Sequence, residues 1–350
     1  MSNHLARAHP DLDRALGTLE LADLPTPVSA HDLTVASNVH CVSIKHDDVT
    51  GSAYGGNKVR KLEYVFERAR QRGAKRVATF GSIGSNHAVA TALYATRAGF
   101  DCTCLLAHQS LKPGLGKALR FHQQNDTEII KWGGPREDRV AIMRRAVQGR
   151  RCWVIPLGGS SWLGNLGFVN AGLELAAQID AGSIPRPARV YVALGTMGTV
   201  AGLALGFALA GLDIDVHAVR VTEEQFANEA ALKRLMEKTA TLMHRFDPTI
   251  PANLADSTRV VCRHEFFGPG YGRTDDTTDA AVASASDLLG LTLDTTYSGK
   301  TMAALLADLP GSSGEPVLFW NTYNSRPLDV DDTMPIDVSK TPEEFSRYFD

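Results

Sequence analysis

A chain of 350 residues is long enough to bury a large core and predicts two domains or lobes. A formal net charge of −3 without a basic block argues against a nucleic-acid partner, and no apolar run is long enough to cross a bilayer. The five cysteines form no CxxC pair and the N-terminus is polar, so we expect a reduced, cytoplasmic protein without a secretory signal or a metal site.

Predicted strands and helices alternate along most of the chain. Residues 1–24 predict a weakly ordered lead-in, and the prolines of Leu24-Pro-Thr-Pro27 predict an extended segment. The alternation predicts two α/β series of parallel strands covered by helices, with a ligand cleft where strand ends from both series meet. The predicted strands are Val39–Ile44, Arg76–Phe80, Cys102–Ala107, Glu128–Trp132, Trp153–Leu157, Arg189–Leu194, Val216–Thr222, Val260–Glu265 and Pro316–Asn321, and the helices lie near 57–72, 86–98, 114–124, 137–148, 164–181, 199–210, 223–244, 276–289 and 300–309.

The stretch Gly55-Gly-Asn-Lys58 opens the helix predicted at 57–72. Two adjacent glycines let the backbone turn sharply and let a flat ligand approach closely. The positive end of the helix dipole disfavours a protonated lysine, and a lysine with a lowered pKa forms Schiff bases. From these residues alone, a glycine turn followed by an ordinary basic helix stays an open alternative. The other basic residues of the helix are assigned to a solvated face: Arg60, Lys61, Arg68, Arg70 and Arg72.

Two further glycine-rich turns follow predicted strands. Gly81-Ser-Ile-Gly-Ser85-Asn86-His87 opens a helix whose free N–H groups form an anion site, with helix capping by Ser85 or Asn86 as the alternative. His87 alone fits a core histidine as well as a catalytic one. Gly195-Thr-Met-Gly-Thr199 offers N–H and hydroxyl donors for a phosphate, with a plain tight turn as the alternative. It matches neither a Walker A loop nor a dinucleotide fingerprint, so a single terminal phosphate fits better than a pyrophosphate.

Two tyrosines lie in glycine-rich surroundings, at Gly268-Pro-Gly-Tyr271 and Thr296-Tyr297-Ser-Gly. A phenol can donate or accept a proton, and a nearby positive charge lowers its pKa, although most tyrosines in turns only pack. Thr322 adds a hydroxyl at the end of the last strand. A reactive lysine, a phosphate cup, an anion-binding helix start and two phenols are together the parts of a pyridoxal-phosphate enzyme.

The sequence resembles the family of D-cysteine desulfhydrases and 1-aminocyclopropane-1-carboxylate deaminases, which has pyridoxal-phosphate fold type II, the tryptophan synthase β-like fold. Its Gly-Gly-Asn-Lys-x-Arg-Lys-Leu-Glu segment is highly specific. The motifs run in the family's order from about residue 24 to residue 327: Leu24-Pro-Thr-Pro27, Lys45-His-Asp-Asp48, Gly55-Gly-Asn-Lys-Val-Arg-Lys-Leu-Glu63, Gly84-Ser-Asn-His87, Gly158-Gly-Ser160, Leu163-Gly164, Gly167-Phe168, Gly195–Gly202, Gly268-Pro-Gly-Tyr271 and Tyr297-Ser-Gly-Lys300.

The resemblance implies a two-lobed α/β fold of three α/β/α layers and pyridoxal 5'-phosphate as the cofactor. Residues 1–58 and 166–350 would form the large lobe and residues 59–165 the small one, in a homodimer that acts on a small amino acid. Lys58 would bind the cofactor's aldehyde, Asn86 would lie beside its ring oxygen and Thr322 would face the pyridine nitrogen. The remaining cofactor contacts would be Asn57, Gly195, Thr196, Met197, Gly198 and Thr199. The substrate contacts would be Ser85, Asn86, His87, Tyr271 and Tyr297, and the catalytic residues Lys58, Ser85, Tyr271 and Tyr297.

Two positions distinguish the subfamilies that the sequence resembles. The deaminases carry a glutamate after the second tyrosine and a leucine at the position of Thr322, whereas the desulfhydrases carry threonine at both. This chain has hydroxyls, Ser298 and Thr322, and a hydroxyl holds a pyridinium less well than a carboxylate does. That favours loss of a good leaving group such as a thiolate over opening of a cyclopropane.

Several positions depart from the family's pattern. Ser82, Gly84 and Met197 replace a glycine, a glutamine and a glycine, and Asn321-Thr-Tyr-Asn-Ser325 stands in place of His-Thr-Gly-Gly. We expect Tyr323 and Asn324 to add bulk and hydrogen-bonding groups near the cofactor ring.

D-cysteine-like α,β-elimination, giving a 2-oxo acid, ammonia and sulfide, is the leading reaction. Ring-opening deamination of 1-aminocyclopropane-1-carboxylate is the nearest alternative, followed by β-replacement or racemisation of another amino acid. A pyridoxal-phosphate-binding regulatory protein and a generic nucleotide-binding α/β protein are the alternatives from other classes.

Overall fold

The computed structural model describes residues 3–35, 37–312 and 314–349. Within these residues the strands form two separate sheets flanked by helices. The helices are α1 (His4–Ala8), α2 (Pro10–Leu16), α3 (Lys58–Gln71), α4 (Asn86–Arg97), α5 (Leu115–Gln124), α6 (Arg136–Val147), α7 (Leu166–Asp180), α8 (Gly198–Leu209), α9 (Glu229–Phe246), α10 (Asp276–Leu289) and α11 (Ser298–Asp308). The strands are β1 (Val28–Val35), β2 (Asn38–Lys45), β3 (Arg76–Ser82), β4 (Asp101–Ala107), β5 (Glu128–Lys131), β6 (Cys152–Val154), β7 (Arg189–Leu194), β8 (Asp215–Arg220), β9 (Val260–Arg263) and β10 (Val317–Trp320).

The larger sheet has six strands in the order β1-β2-β10-β7-β8-β9. β1 runs antiparallel to β2, and the other neighbouring pairs are parallel. β10 inserts between β2 and β7, so that Val317 pairs with both Val42 and Arg189. The carboxyl ends of β2, β10 and β7 therefore lie side by side at one edge of the sheet.

Both faces of the larger sheet are buried, as parallel strands require. Val190 and Leu318 face a hydrophobic core shared with α7 and α8. Val317 and Phe319, which alternate with Leu318 along β10, face a second core shared with α10 and α11. The sheet is thus the middle of three layers, which confirms the predicted fold class.

The smaller sheet has four parallel strands in the order β5-β4-β3-β6. Val77 and Cys104 face the core that contains α4 and α5, whereas Ala78 and Leu105 face α6. This membership supports a small lobe within residues 59–165, although the lobe boundaries themselves stay a prediction.

The N-terminal region is more ordered than the sequence predicts. Residues 4–16 form α1 and α2 instead of a weakly ordered lead-in, because Leu5, Leu12 and Leu16 are buried in the main core. β1 was not predicted, since its sequence Val-Ser-Ala-His-Asp-Leu-Thr-Val carries little apolar alternation. α9 begins at Glu229 rather than at residue 223, because the Asn228 side chain accepts a hydrogen bond from the Ala231 N–H and caps the helix there.

The C-terminal segment, residues 329–349, lies against α5 and the smaller sheet. The lobe prediction assigns this segment to the large lobe, whereas α5 and the smaller sheet fall within the predicted small lobe. Phe345 and Tyr348 are buried in the main core. The Tyr348 hydroxyl donates to the Gln109 carbonyl (2.9 Å), and the Gln123 amide donates to the Thr341 hydroxyl (2.7 Å). None of the helices in the described residues is long and apolar enough to span a membrane.

Candidate active site

Lys58 is the first residue of α3 and follows a turn that is tied to the edge of the larger sheet. The Gly56 N–H donates to the Asp47 carbonyl (2.7 Å), just beyond β2. The Asn57 N–H donates to the Thr322 carbonyl (3.2 Å), just beyond β10. Gly56 has a φ of +85°, a conformation that glycine adopts without strain. The position of the lysine is therefore set by the ends of two adjacent strands.

Asn324 supports the same turn. Its Oδ1 accepts hydrogen bonds from the Gly55 N–H (2.6 Å) and the Arg326 N–H, and its Nδ2 donates to the Arg326 carbonyl. A side chain at Gly55 would collide with the Asp48 carbonyl oxygen, 1.9 Å from the Cβ position, so the backbones meet directly there. The Asn324 amide is thus used within the turn, and the expectation that Tyr323 and Asn324 add bulk and hydrogen-bonding groups near the cofactor ring stays a prediction.

The Lys58 amine is half-buried and donates to the Asn57 Oδ1 at 2.6 Å. Burial lowers its pKa from 10.5 to about 8, while the charge of Asp294 opposes this shift. The fraction of unprotonated, nucleophilic amine at neutral pH is thus on the order of a hundredfold larger than for an ordinary lysine. The pKa shift was predicted, but its main cause is desolvation rather than the helix dipole.

Two basic residues of α3 that were assigned to a solvated face are buried. Arg60 and Lys61 are 0% and 1% exposed, because α3 packs between α4 and α7. Arg60 forms ion pairs with Asp47 (2.7 Å) and Glu174 (2.9 Å). The assignment is therefore wrong for these two residues; Arg70 and Arg72, nearer the end of the helix, are exposed as predicted.

Lys61 contacts Ser160, which in turn contacts the loop that was predicted to hold a phosphate. Its Nζ donates to the Ser160 hydroxyl (3.1 Å) and the Gly158 carbonyl (3.3 Å). The Ser160 hydroxyl in turn lies 2.7 Å from the Thr196 hydroxyl and accepts from the Gly198 N–H (3.2 Å). Among the described residues no carboxylate pairs with this buried lysine, and an isolated buried cation is costly. An anion bound at this loop would relieve that cost, so the donors fit a phosphate.

A positive φ at Met197 and the absence of a side chain at Gly198 define the geometry of the loop itself. Met197 adopts a φ of +66°, and a Cβ at Gly198 would lie 2.5 Å from the Ser160 hydroxyl. The Asn57 amide donates to the Thr199 hydroxyl (3.0 Å), so the phosphate loop and the lysine turn are in direct contact. The structure thus brings into contact two predicted groups whose contacting residues are 142 positions apart in the sequence.

The start of α4 carries Ser85, Asn86 and His87. The Ser85 side chain accepts from the Ala88 N–H (3.3 Å), so the capping interpretation is correct for this serine. Asn86 is half-buried. The His87 ring is buried, with its Nε2 2.8 Å from the Thr79 hydroxyl, and burial holds its pKa well below 6.5. A neutral, buried imidazole next to Thr79 of β3 fits the core alternative better than the substrate-binding one. Contact of His87 with a substrate stays a prediction.

Tyr271 and Tyr297 form a pair whose hydroxyl oxygens are 2.5 Å apart. The Tyr297 ring packs against Gly195 of the phosphate loop, where a Cβ would lie 3.3 Å from its Cε1. Lys300 holds the loop that carries Tyr271, since its Nζ donates to the Gly270 carbonyl (3.0 Å). Desolvation raises the pKa of both phenols, although the Tyr271 side chain is 44% exposed, and this direction is opposite to the prediction. They therefore stay protonated and are suited to donating a proton.

Asp294 organises the first turn of α11. Its carboxylate accepts from the Thr296 and Tyr297 N–H groups (both 3.1 Å) and from the Ser298 N–H (2.9 Å). The Ser298 hydroxyl also donates to it (2.6 Å). Ser298, which is buried, is therefore occupied by its own helix start, as is the carboxylate.

Sequence reasoning missed Lys61 and Ser160 as members of this site. The helical spacing carried a signal, since Lys61 lies one turn after Lys58 and next to the apolar positions of α3. Ser160 belongs to the matched Gly158-Gly-Ser160 motif, but only the folded chain shows which loop it faces. Together the residues provide a nucleophilic amine, an anion site and a pair of proton-donating phenols.

The family model of pyridoxal-phosphate dependent enzymes matches residues 19–322 of this chain. The chain therefore belongs to this family, and its cofactor is pyridoxal 5'-phosphate.

Among its relatives, the D-cysteine desulfhydrase of Yersinia pestis (strain Pestoides F) is 35% identical over 300 residues, covering 82% of this chain and 87% of the relative. The D-cysteine desulfhydrase of Salmonella paratyphi A is 33% identical over 321 residues, covering 89% and 94%. A crystal structure of an ACC deaminase homologue superposes with a TM-score of 0.73 at 27% identity, covering 90% of this chain and 95% of that one.

Proposed function

We propose that the protein catalyses α,β-elimination from a small D-amino acid, with D-cysteine as the leading substrate. The observation that carries the proposal is the meeting of Lys58, the phosphate-type loop and the Tyr271–Tyr297 pair at one sheet edge. The names of relatives with 33–35% identity across most of their length supply the substrate class.

Each group in this cleft has a role in the proposal. Lys58 would bind the cofactor covalently, and Lys61 with Ser160 and residues 195–199 would hold its phosphate. Ser85 and Asn86 would bind the substrate carboxylate and the ring oxygen at the N-terminus of α4. Thr322 would face the pyridine nitrogen.

The bound cofactor supplies an electron sink for the pair left at the substrate's α-carbon. The amine of Lys58, in its free and unprotonated form, would take the α-proton. The phenol pair, which burial keeps protonated, would give a proton to the departing thiolate. The carbon–sulfur bond breaks in this step, and hydrolysis of the remaining enamine gives ammonia and a 2-oxo acid.

The surroundings of α11 favour elimination of a thiolate over opening of a cyclopropane. Asp294 is the carboxylate next to Ser298, and four donors of the helix start already occupy it. In this proposal the cofactor's ring nitrogen would therefore face the Thr322 hydroxyl rather than a free carboxylate of α11. A ring nitrogen without a carboxylate is a weaker electron sink, which is sufficient for a good leaving group.

The test is release of sulfide, ammonia and pyruvate from D-cysteine by the purified, cofactor-loaded protein, with L-cysteine as the stereochemical comparison. Borohydride reduction followed by peptide mapping should find the cofactor on Lys58, and Lys58→Ala should abolish both label and turnover. No turnover of D-cysteine or D-serine derivatives would reject the substrate class. A label on another lysine would reject the assigned site.

A second candidate is ring-opening deamination, which the superposition on an ACC deaminase homologue supports. It predicts 2-oxobutanoate and ammonia from 1-aminocyclopropane-1-carboxylate. The same assay distinguishes the two reactions, because only one of these substrates contains sulfur. We further propose a cytoplasmic homodimer with a small lobe at residues 59–165, as the resemblance implies.

A further inference from the structure

Tyr54 lies in the turn that leads to Lys58, and its side chain is buried. Its backbone carbonyl and its side-chain hydroxyl both form hydrogen bonds with residues of one helix, α4. Its carbonyl accepts a hydrogen bond from the Tyr94 hydroxyl (2.6 Å), and its own hydroxyl donates to the Asn86 Oδ1 (3.0 Å). Asn86 and Tyr94 both belong to α4. A Cβ at Gly51 would lie 2.0 Å from the Tyr94 hydroxyl, so the turn is closed around this contact. Tyr54 therefore cannot shift without moving against α4.

The hydrogen bond from Tyr54 also fixes the orientation of the Asn86 amide. A carboxamide has an accepting oxygen and a donating NH₂ group at nearly identical positions, and a half-turn about its terminal bond exchanges them. Burial raises the pKa of Tyr54, so the phenol keeps its proton and donates it. The other titratable groups close to this phenol are Tyr94, Tyr323 and Asp294, and each of them also disfavours its ionised form. With its oxygen engaged by Tyr54, Asn86 is left with its NH₂ group as the part available to a ligand.

We propose that Tyr54 is a positioning residue that holds the Asn86 amide in the orientation that donates a hydrogen bond to the cofactor's ring oxygen. This inference rests on the proposed function, which sets Asn86 beside that oxygen. A donor at this point stabilises the ionised ring oxygen relative to its protonated form. Tyr54 would thus tune the electronic state of the bound cofactor without touching it.

The test is Tyr54→Phe, which removes the hydroxyl and keeps the buried ring. The visible absorbance band of the loaded enzyme should titrate with its midpoint shifted upward by about 0.5–1 pH unit, because the ring oxygen loses a fixed donor. The dissociation constant for pyridoxal 5'-phosphate should rise roughly 3- to 10-fold. A protein whose tyrosine served packing alone would show neither shift.

Tyr64→Phe is the matched control. Tyr64 is also buried, and its hydroxyl accepts a hydrogen bond from the Asn3 amide (3.3 Å), outside the site. Its loss should leave the titration midpoint unchanged. An identical titration for wild type, Tyr54→Phe and Tyr64→Phe would overturn the inference.

A double-mutant cycle with Asn86→Ala identifies the route of the effect. Tyr54→Phe should shift the midpoint in the wild-type background and leave it unchanged when Asn86 is already alanine. An equal shift in both backgrounds would overturn the inference, because Tyr54 would then act without the amide. If the wild-type protein binds no cofactor at Lys58, the proposed function fails and this inference fails with it. A normal wild-type band that is insensitive to Tyr54→Phe sinks the inference alone.

Discussion

Two adjacent basic residues of α3, Arg60 and Lys61, are both buried but have different partners. Arg60 is buried with two carboxylates, whereas Lys61 is buried among neutral oxygens. Burial and the nearby Lys58 hold the pKa of Lys61 well below its ordinary value. The charge of Arg60 is neutralised by carboxylates of the folded chain. The partners of Lys61 are neutral oxygens, so a bound anion would be needed to neutralise its charge. This difference is why we propose Lys61, and not Arg60, as a ligand of the cofactor phosphate.

For Lys61→Met we expect cofactor affinity to fall by about 10- to 100-fold, since a charge-assisted contact to the phosphate is lost. The free energy of unfolding of the cofactor-free protein should not decrease, because an apolar side chain replaces a buried amine whose pKa is already lowered by desolvation. Fluorescence titration with pyridoxal 5'-phosphate measures the first quantity. Pyridoxal, which has no phosphate, is the control, and its affinity should be nearly unchanged. An equal loss for both ligands would contradict the assignment of Lys61 to the phosphate.

At the scale of elements, a buried ionic network joins α3 to the larger sheet. Arg60 pairs with Asp47 and Glu174, and the Lys45 amine donates to the same Glu174 (2.5 Å). The Trp320 indole of β10 donates to Asp47 (2.8 Å). Burial would raise the pKa of Glu174, but the two cations outweigh it and lower the value to about 2. The Glu174 carboxylate therefore stays charged, and the network supports the turn that carries Lys58.

Arg60→Met should destabilise the protein by about 3 kcal/mol or more. The variant would keep Lys45 as a partner of Glu174 but would remove the ion pair of the buried Asp47. Urea denaturation of the cofactor-free protein measures this loss. Arg72→Met, at the exposed end of the same helix, is the control and should change stability by less than about 0.5 kcal/mol. Similar small effects of both variants would mean that the network contributes little to folding.

The strongly apolar strands and helices were predictable from periodicity, and β7 was predicted with the bounds that it has. β1 was not, because a polar edge strand gives no periodic signal and forms by pairing with β2. Of the site, the sequence identified Lys58, the phosphate loop and the two tyrosines as groups that belong together. It missed Lys61 and Arg60, since local sequence does not reveal that both sides of α3 are covered. The raised pKa values of the phenols also depend on burial, which only packing determines.

At the scale of the whole molecule, the first and last described segments of the chain both pack against the main core. α1 contacts α7, where the Leu5 N–H donates to the Asn170 side chain (3.1 Å). The C-terminal segment inserts Phe345 and Tyr348 beside α5, and the Tyr348 hydroxyl accepts from the Gln109 N–H (3.3 Å). The Gln109 side chain accepts from the Gly84 N–H (3.0 Å), directly before Ser85. The tail thus supports the loop at the start of α4.

Phe345→Ala should lower the free energy of unfolding by about 3 kcal/mol or more, because it leaves a cavity in the main core. Val338→Ala in the same segment is the control and should be nearly neutral, since Val338 is 72% exposed. Thermal and urea unfolding of the two variants decide the question. A neutral Phe345→Ala would show that the tail is dispensable for stability.

The insertion of β10 between β2 and β7 has a consequence for how the enzyme is made. β10 follows β2 and β7 in the sequence and is synthesised after them, yet it lies between them in the sheet. Such long-range pairing delays folding until late in translation. A chain that ends before β10 would therefore lack the strand that joins β2 to β7, and with it Thr322, whose carbonyl accepts the hydrogen bond from the Asn57 N–H beside Lys58.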